Sequence, residues 1–435
     1  MHHSHEGLER AGGVARAGLL TPLRERNFRL MWAGMCVSLL GDGAFIVALA
    51  WQVYQLSDGP TAMGMVGIAM TVPTIVFLLV GGIASDRFER RHLMLAADLA
   101  RLLAVGALAF LSVTGALAVW HVIVLVAIYG AGQAFFAPAF DAIVPDLLPK
   151  HLLAQANALD QLVRPIALRM VGPAIGGVLV GALGAGAAFT LDAASFALSA
   201  GALLLMRPPT RTSRASQASS MVADLREGWR FVRDRQWLWV TFGTAAVAYL
   251  LFMGPVEVLV PYLVKNELEA TARDLGLIFA AGGLASIITA IALGQRGLPR
   301  RSMTFVYIAW TVATLAVAGY GLGTTVWQLM VASALFNALE TAGTIVWITA
   351  KQRHVPSHML GRVSSLDWLI SIGLLPLSFA LTGPVSEALG ARATLVGAGI
   401  LGALVTLAGL FVRGVRVVEE RPSVATQAAA EAAAA

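Results

Sequence analysis

"GGIASDRFERRHL", Gly81–Leu93, places Asp86, Arg87, Glu89, Arg90, Arg91 and His92 within seven residues, directly after two glycines and a long apolar run. Another apolar run begins at once. The flanking stretches, roughly 62–85 and 93–115, each supply the twenty or so apolar residues that a helix needs to cross hydrocarbon. Outward from this point the pattern repeats along the chain, at roughly 29–55, 120–145, 153–181, 185–206, 236–263, 275–294, 302–322, 326–350, 361–386 and 390–412. Of the 435 residues, 57% are hydrophobic and only 13% charged, with a mean hydropathy of +0.75. That is too little charge to cover a globule of this size, so much of the surface faces lipid. The fold class that follows is an all-α membrane protein of about twelve transmembrane helices.

Lys and Arg fall unevenly between the runs, which orients them. Arg24, Arg26, Arg87, Arg90, Arg91, Lys150, Arg207, Arg300, Arg301, Lys351, Arg362 and Arg413 lie on one side, and only Lys265, Arg273 and Arg392 on the other. Both termini are therefore expected on the cytoplasmic side, in a bacterial inner membrane. The net charge of +6 sits in short clusters between apolar runs, which suits anionic lipid headgroups and not nucleic acid. Cys36 is the single cysteine, so no disulfide or cysteine metal site is expected. The histidines show no metal-ligand spacing. The opening "MHHSHEGLERAGGVARAG" lacks the short apolar core of a cleaved signal peptide.

The longest polar interval, 207–235, "RPPTRTSRASQASSMVADLREGWRFVRDR", reads as a linker that turns amphipathic near Trp229 and Phe231. It divides the chain into a cytoplasmic N-terminal segment 1–27, a six-helix bundle 28–206, the linker 207–235, a second bundle 236–413 and a disordered tail 414–435. The halves echo one another. "LPKHLLAQANALDQL" from Leu148 matches "VPSHMLGRVSSLDWL" from Val355, pairing Asp160 with Asp367, and Arg90-Arg91 matches Arg300-Arg301. Two pseudo-symmetric six-helix bundles with a site between them make a transporter architecture.

"GGIASDRFERR" resembles the loop between the second and third spans of the major facilitator superfamily, G-x-x-x-D-R-x-G-R-R, on Gly82, Asp86, Arg87, Arg90 and Arg91; Glu89 stands where that pattern has glycine. "RNFRLMWAG", "SLLGD", "VPDLLPKHLLAQANALD" and "RMVGPAIGG" are similar to the branch that includes the enterobactin exporter, macrolide efflux proteins and lysophospholipid transporters. The resemblance covers Arg26 to about Arg413. It implies the major facilitator fold, a cytoplasmic gate at the Asp86 cluster whose arginines pair with acids across the interface between halves, and an antiporter-like helix motif at Gly172, Pro173, Gly176 and Gly177. Leu159 and Leu168 occupy the places of that motif's upstream glycines. A plain positive-inside cluster and a plain packing face are the competing readings of the two motifs.

Ionisable groups inside the membrane are costly and default to function. Asp42, about halfway through the first span and flanked by small residues that leave it accessible, and Glu340, about halfway through the tenth, are the proton-coupling candidates; the alternative is that each is a fixed counter-ion to an arginine. Desolvation favours the neutral form of a carboxylic acid, which lets it load and unload protons. Arg169 is the candidate counter-charge to a carboxylate or substrate anion. Asn337 and Gln133, with the aromatics Phe45, Phe136, Phe140, Tyr249 and Phe252, are substrate-contact candidates, or else packing. Glu257, toward the outer end of the seventh span beside Pro255, is a possible gate. Asp141, Asp160 and Arg164 read as a structural charge network, since Asp160 and Arg164 are i, i+4 neighbours.

No G-x-x-x-x-G-K-[ST], G-x-S-x-G or H-E-x-x-H occurs, so neither direct nucleotide drive nor an enzyme is expected, and no cofactor. The isolated charges do not line a channel. The sequence predicts a monomeric secondary transporter that exports an amphipathic small molecule, a drug-like compound or siderophore, by alternating access and in exchange for protons. Translocation of lysophospholipid or another lipid is the alternative. Its partners are the substrate, protons and membrane lipids.

Overall fold

A computed structural model describes residues 20–57, 59–207, 221–296 and 299–420. Among them, twelve helical segments are long and apolar enough to cross a membrane. The first half comprises α1 (Arg26–Leu56), α2 (Pro60–Arg87), α3 (Arg90–Val113), α4 (Val119–Leu147), α5 (Leu153–Pro165), a π-helical turn (Ile166–Val171), α6 (Gly172–Leu183) and α7 (Ala185–Leu205). After α8 (Met221–Arg233) come α9 (Gln236–Tyr262), a π-helical turn (Leu263–Glu267), α10 (Ala272–Arg296), α11 (Ser302–Leu322), α12 (Val326–His354), α13 (Ser357–Gly373), α14 (Leu375–Leu389), α15 (Ala391–Leu410) and α16 (Val417–Glu420). α5 with α6, and α13 with α14, each make one broken span.

The outer walls explain the composition. Leu103, Phe110, Leu198, Leu204, Ile288 and Leu404 are each more than half exposed, an arrangement that water would penalise and lipid tails accept. Glycine and alanine let the helices approach closely on their inner faces.

The two halves pack by one plan. In the first, α1 pairs with α7, α2 with α4, and α3 with both α4 and α7; in the second, α9 pairs with α15, α10 with α12, and α11 with both α12 and α15. Between halves, α2 packs on α14 and α10 on α6, contacts that exchange under the same repeat. The links that enter the last span of each half match as well. Gly184 and Gly390 have φ of +85° and +87°, a left-handed conformation that a side chain would strain.

The halves are joined at the end where α1 runs into α2. Tyr54 donates its hydroxyl to the Val258 carbonyl at 2.6 Å, the Lys265 ammonium donates to the Tyr54 carbonyl, and Thr61 donates to Glu387 at 2.5 Å. Phe379 fills the space beside Gly67.

Of the segment predicted at 1–27 only 20–27 is described, and residues 208–220 and 421–435 lie outside the described residues. The amphipathic end of the linker is α8, held to α13 by Arg362 donating to Glu227 at 2.7 Å. The predicted disorder from 414 onward is corrected over 414–420: Val415 and Val418 are buried, and Glu419 accepts the Thr304 N–H at 2.6 Å. Two apolar side chains and a capping carboxylate are enough to dock this turn on α11.

Candidate functional site

The fifth span does not run straight. Pro165 has no N–H to donate and Gly172-Pro173 follow within a few residues, so Ile166–Val171 winds as a π-helical turn. This widened turn presents Arg169 to a cavity of about 320 Å³ between the halves. The first half contributes Ile46, Leu168, Arg169 and Pro173 to its wall. From the second half come the polar Glu257, Ser333, Asn337 and Glu340, and the aromatic Tyr249, Phe252, Phe279, Tyr320 and Phe336.

Arg169 Nη1 stands 3.7 Å from Glu340 Oε2, an ion pair across the interface. Glu340 is also held by Thr344, which donates to Oε1 at 3.0 Å. Asn337, a turn earlier on α12, donates its amide to the Ser333 carbonyl at 2.9 Å. Tyr249 and Phe252 meet edge to face at 5.5 Å, as do Phe252 and Phe336. The wall thus joins two carboxylates, one guanidinium and several aromatic faces, which suits a ligand part apolar and part polar.

Other sequence candidates lie elsewhere. Asp42 is 6% exposed and is not in the cavity wall. The small residues beside it, expected to leave it accessible, instead admit neighbouring helices. A Cβ on Gly41 would strike the side chains of Asp192 and Ser195, and one on Gly43 would strike Gly172 and Pro173. Phe45 is buried against Tyr129 at 4.8 Å and Phe189 at 5.7 Å. Phe136 lies under the Arg101 guanidinium at 4.6 Å and beside the buried Phe140. Gln133 is exposed on α4, away from the cavity-lining residues.

Within the first half, α1, α3, α4 and α7 gather a polar cluster. Tyr129 donates to Asp42 at 2.6 Å, Arg101 donates to Asp98 at 2.5 Å, Ser199 donates to Asp98 at 2.7 Å, and Ser195 approaches Asp192. Sequence reasoning passed over Asp98, Arg101, Tyr129 and Asp192. The available signal was the same as for Asp42: an ionisable side chain deep in an apolar run.

The antiporter-like motif is a two-sided packing surface. Gly172 and Gly176 admit the α1 backbone, and Gly177 admits the start of α10, where a Cβ would come 3.1 Å from the Cα atoms of Arg273 and Gly276. Arg164 donates to Asp160 at 2.7 Å. Asp141 feels the charges of both. At the repeat-equivalent position, Asp367 accepts from Lys351 on the neighbouring α12 and from Trp347 at 2.9 Å.

Gly82, Asp86 and Arg87 fall in α2, and their side chains lie outside the described residues. In this structure Arg90 and Arg91 are paired within the first half and not across the halves. Arg90 donates to Asp146 and to the Ala142 carbonyl at the end of α4. Arg91 donates to the last carbonyls of α7, Leu203 at 2.7 Å and Leu204 at 2.9 Å. Guanidinium donors satisfy helix C-terminal carbonyls and complement their partial negative charge, and both sites are within reach of the start of α3.

This chain is similar to the multidrug efflux pump Tap of Mycolicibacterium fortuitum, 28% identical over 81% of this chain and 88% of that protein. It is also similar to macrolide efflux protein A of Streptococcus pyogenes, 21% identical over 84% and 90% of the two chains. Among solved structures, a bacterial homologue of the iron transporter ferroportin in an inward-facing state superposes with a TM-score of 0.64 at 17% identity, over 89% of this chain and 99% of that one. A bacterial homologue of the lysosomal transporter Spinster, inward-facing and unoccupied, does so with 0.61 at 15% identity, over 91% and 96%. These likenesses show the fold, and the sequence model of a family described as transmembrane secretion effector matches residues 17–433. The chain therefore belongs to the transmembrane secretion effector family of the major facilitator superfamily.

Proposed function

We propose that the protein exports an amphipathic small molecule by alternating access, in exchange for protons. The observation that carries this reading is the cavity itself, in which Arg169 and Glu340 face each other across the two halves among aromatic side chains. A carboxylate that loses its partner when the halves move changes its proton affinity, and only such a group couples two fluxes. Glu340 fills that role in the cavity; Asp42, whose partner Tyr129 belongs to its own half, is the second candidate for carrying the proton.

The bundles 28–206 and 236–413 are the moving bodies, with both termini cytoplasmic in a bacterial inner membrane. In that orientation the contacts of Tyr54, Thr61 and Lys265 close the outer end, and the cavity faces inward. The Asp86 cluster then acts in the opposite state, holding the cytoplasmic end shut. The efflux activity of the similar proteins supports the export direction.

The test is transport of a panel of fluorescent amphipathic compounds into proteoliposomes, with and without an imposed pH difference. Uphill accumulation that collapses when the pH difference is dissipated supports exchange. Accumulation of no compound, or a rate indifferent to pH, would sink it. Flip of fluorescent lysophospholipid without any effect of pH would favour lipid translocation instead.

A further inference from the structure

The cluster inside the first half carries more acid than it can neutralise. Asp98 and Asp192 are fully buried, Arg101 is 3% exposed and Asp42 6%. Arg101 is committed to Asp98 by its hydrogen bond, and its guanidinium is flanked by the rings of Phe136 and Phe196 at 4.6 and 4.5 Å. Two buried polar atoms of the cluster have no hydrogen-bond partner among the described residues, Asp192 Oδ2 and Arg101 Nε. The Asp192 carboxyl lies against Gly41, next to Asp42 in the chain.

The surroundings of Asp42 are these. From α3 it faces Asp98 and Arg101, from α4 Tyr129, and from α7 Asp192; the charge of Arg164 on α5 also reaches it. Arg164 is spent on Asp160 and is partly exposed. One guanidinium therefore stands among three carboxyl groups. Ionising all three would leave two uncompensated charges in the interior, and buried groups in that position take up a proton instead.

We infer that Asp42 and Asp192 form a proton store inside the first half, each carboxyl protonated at neutral pH while Asp98 stays ionised against Arg101. The store is separate from the substrate cavity but shares α1 with it: Asp42 lies one turn from Ile46, which lines the cavity wall. A shift of α1 against α7 would change both sites together. The role of the store in exchange rests on the transport reading above; the protonation does not.

Infrared spectroscopy of the full-length protein in lipid nanodiscs reads the protonation directly, because the carbonyl stretch of a protonated carboxyl is resolved from that of a carboxylate. At pH 7, Asp42→Asn and Asp192→Asn should each remove one component of the protonated band. If neither variant removes a component, both acids are ionised and the store is refuted. Tyr129→Phe deletes one hydroxyl and keeps the test open if the asparagine variants fold poorly. It should move the Asp42 component to higher frequency, and an unmoved band would overturn the assignment. Raising sodium chloride at fixed pH should leave the bands unchanged; their loss would assign the site to sodium and overturn protonation. Binding of a fluorescent amphipathic dye, measured on the same samples, tests the cavity separately, since its absence would sink the transport reading and leave the bands as they are.

Discussion

Arg169 and Glu340 face each other at 3.7 Å across the two halves, the Arg169 side chain 52% exposed and that of Glu340 21%. A pair so open to solvent contributes at most about 1 kcal/mol to stability. Its removal should therefore leave folding nearly intact and still disturb function. Glu340→Gln should lower the melting temperature by no more than a few degrees. It should exchange dye across proteoliposome membranes yet fail to concentrate it under an imposed pH difference. Wild-type uphill transport in this variant would leave Glu340 a spectator.

Tyr54 latches the joined end through one hydrogen bond to Val258. Tyr54→Phe removes a contribution of about 0.5–1.5 kcal/mol, which favours opening there about two- to tenfold. A cysteine replacing the cavity residue Phe279, on a Cys36→Ala background, should then react faster by that factor with an impermeant thiol reagent applied from that end. An unchanged rate would mean that the latch lies elsewhere.

Lys351 and Asp367 form a buried ion pair whose side chains are 7% and 14% exposed. Lys351→Met leaves a buried carboxylate without its partner and should cost about 3–5 kcal/mol. Adding Asp367→Leu should recover most of the loss, because replacing both charges by apolar groups is often nearly neutral. Thermal unfolding in detergent of the two single variants and the double variant measures the coupling. Additive losses would show that the pair does not act as a unit.

Orientation is open to labelling. With Cys36→Ala as background, a cysteine at Ser216 in the linker should resist an impermeant reagent applied to intact cells and react in everted vesicles. The reverse pattern would turn the protein over in the membrane, and with it the direction of every step proposed above.

The spans were legible because each is a long apolar run closed by charge, as at Gly81–Leu93, and the repeat was legible because its polar loop residues align, Asp160 with Asp367. In the cavity, Arg169 and Glu340 stood out as charges in such runs. Asp98, Arg101 and Asp192 stood in such runs as well, but their meeting was not legible. In lipid both faces of a helix are apolar, so periodicity does not say which residues look inward. The same blindness turned the small neighbours of Asp42 into an expected opening, where Asp192 and the fifth span in fact close in.

A π-helical turn is what an α-helix makes of one surplus residue. Arg169, the sole charge among the described residues that the first half contributes to the cavity wall, sits in such a turn. Deleting Leu168 would let the hydrogen-bond ladder close in its ordinary register. α5 would turn by about 100° about the helix axis relative to Arg169 and α6, while the small-residue face of Gly172–Gly177 stayed whole. The orientation of the Asp160–Arg164 pair on α5 relative to that guanidinium is thus set by one residue of the turn.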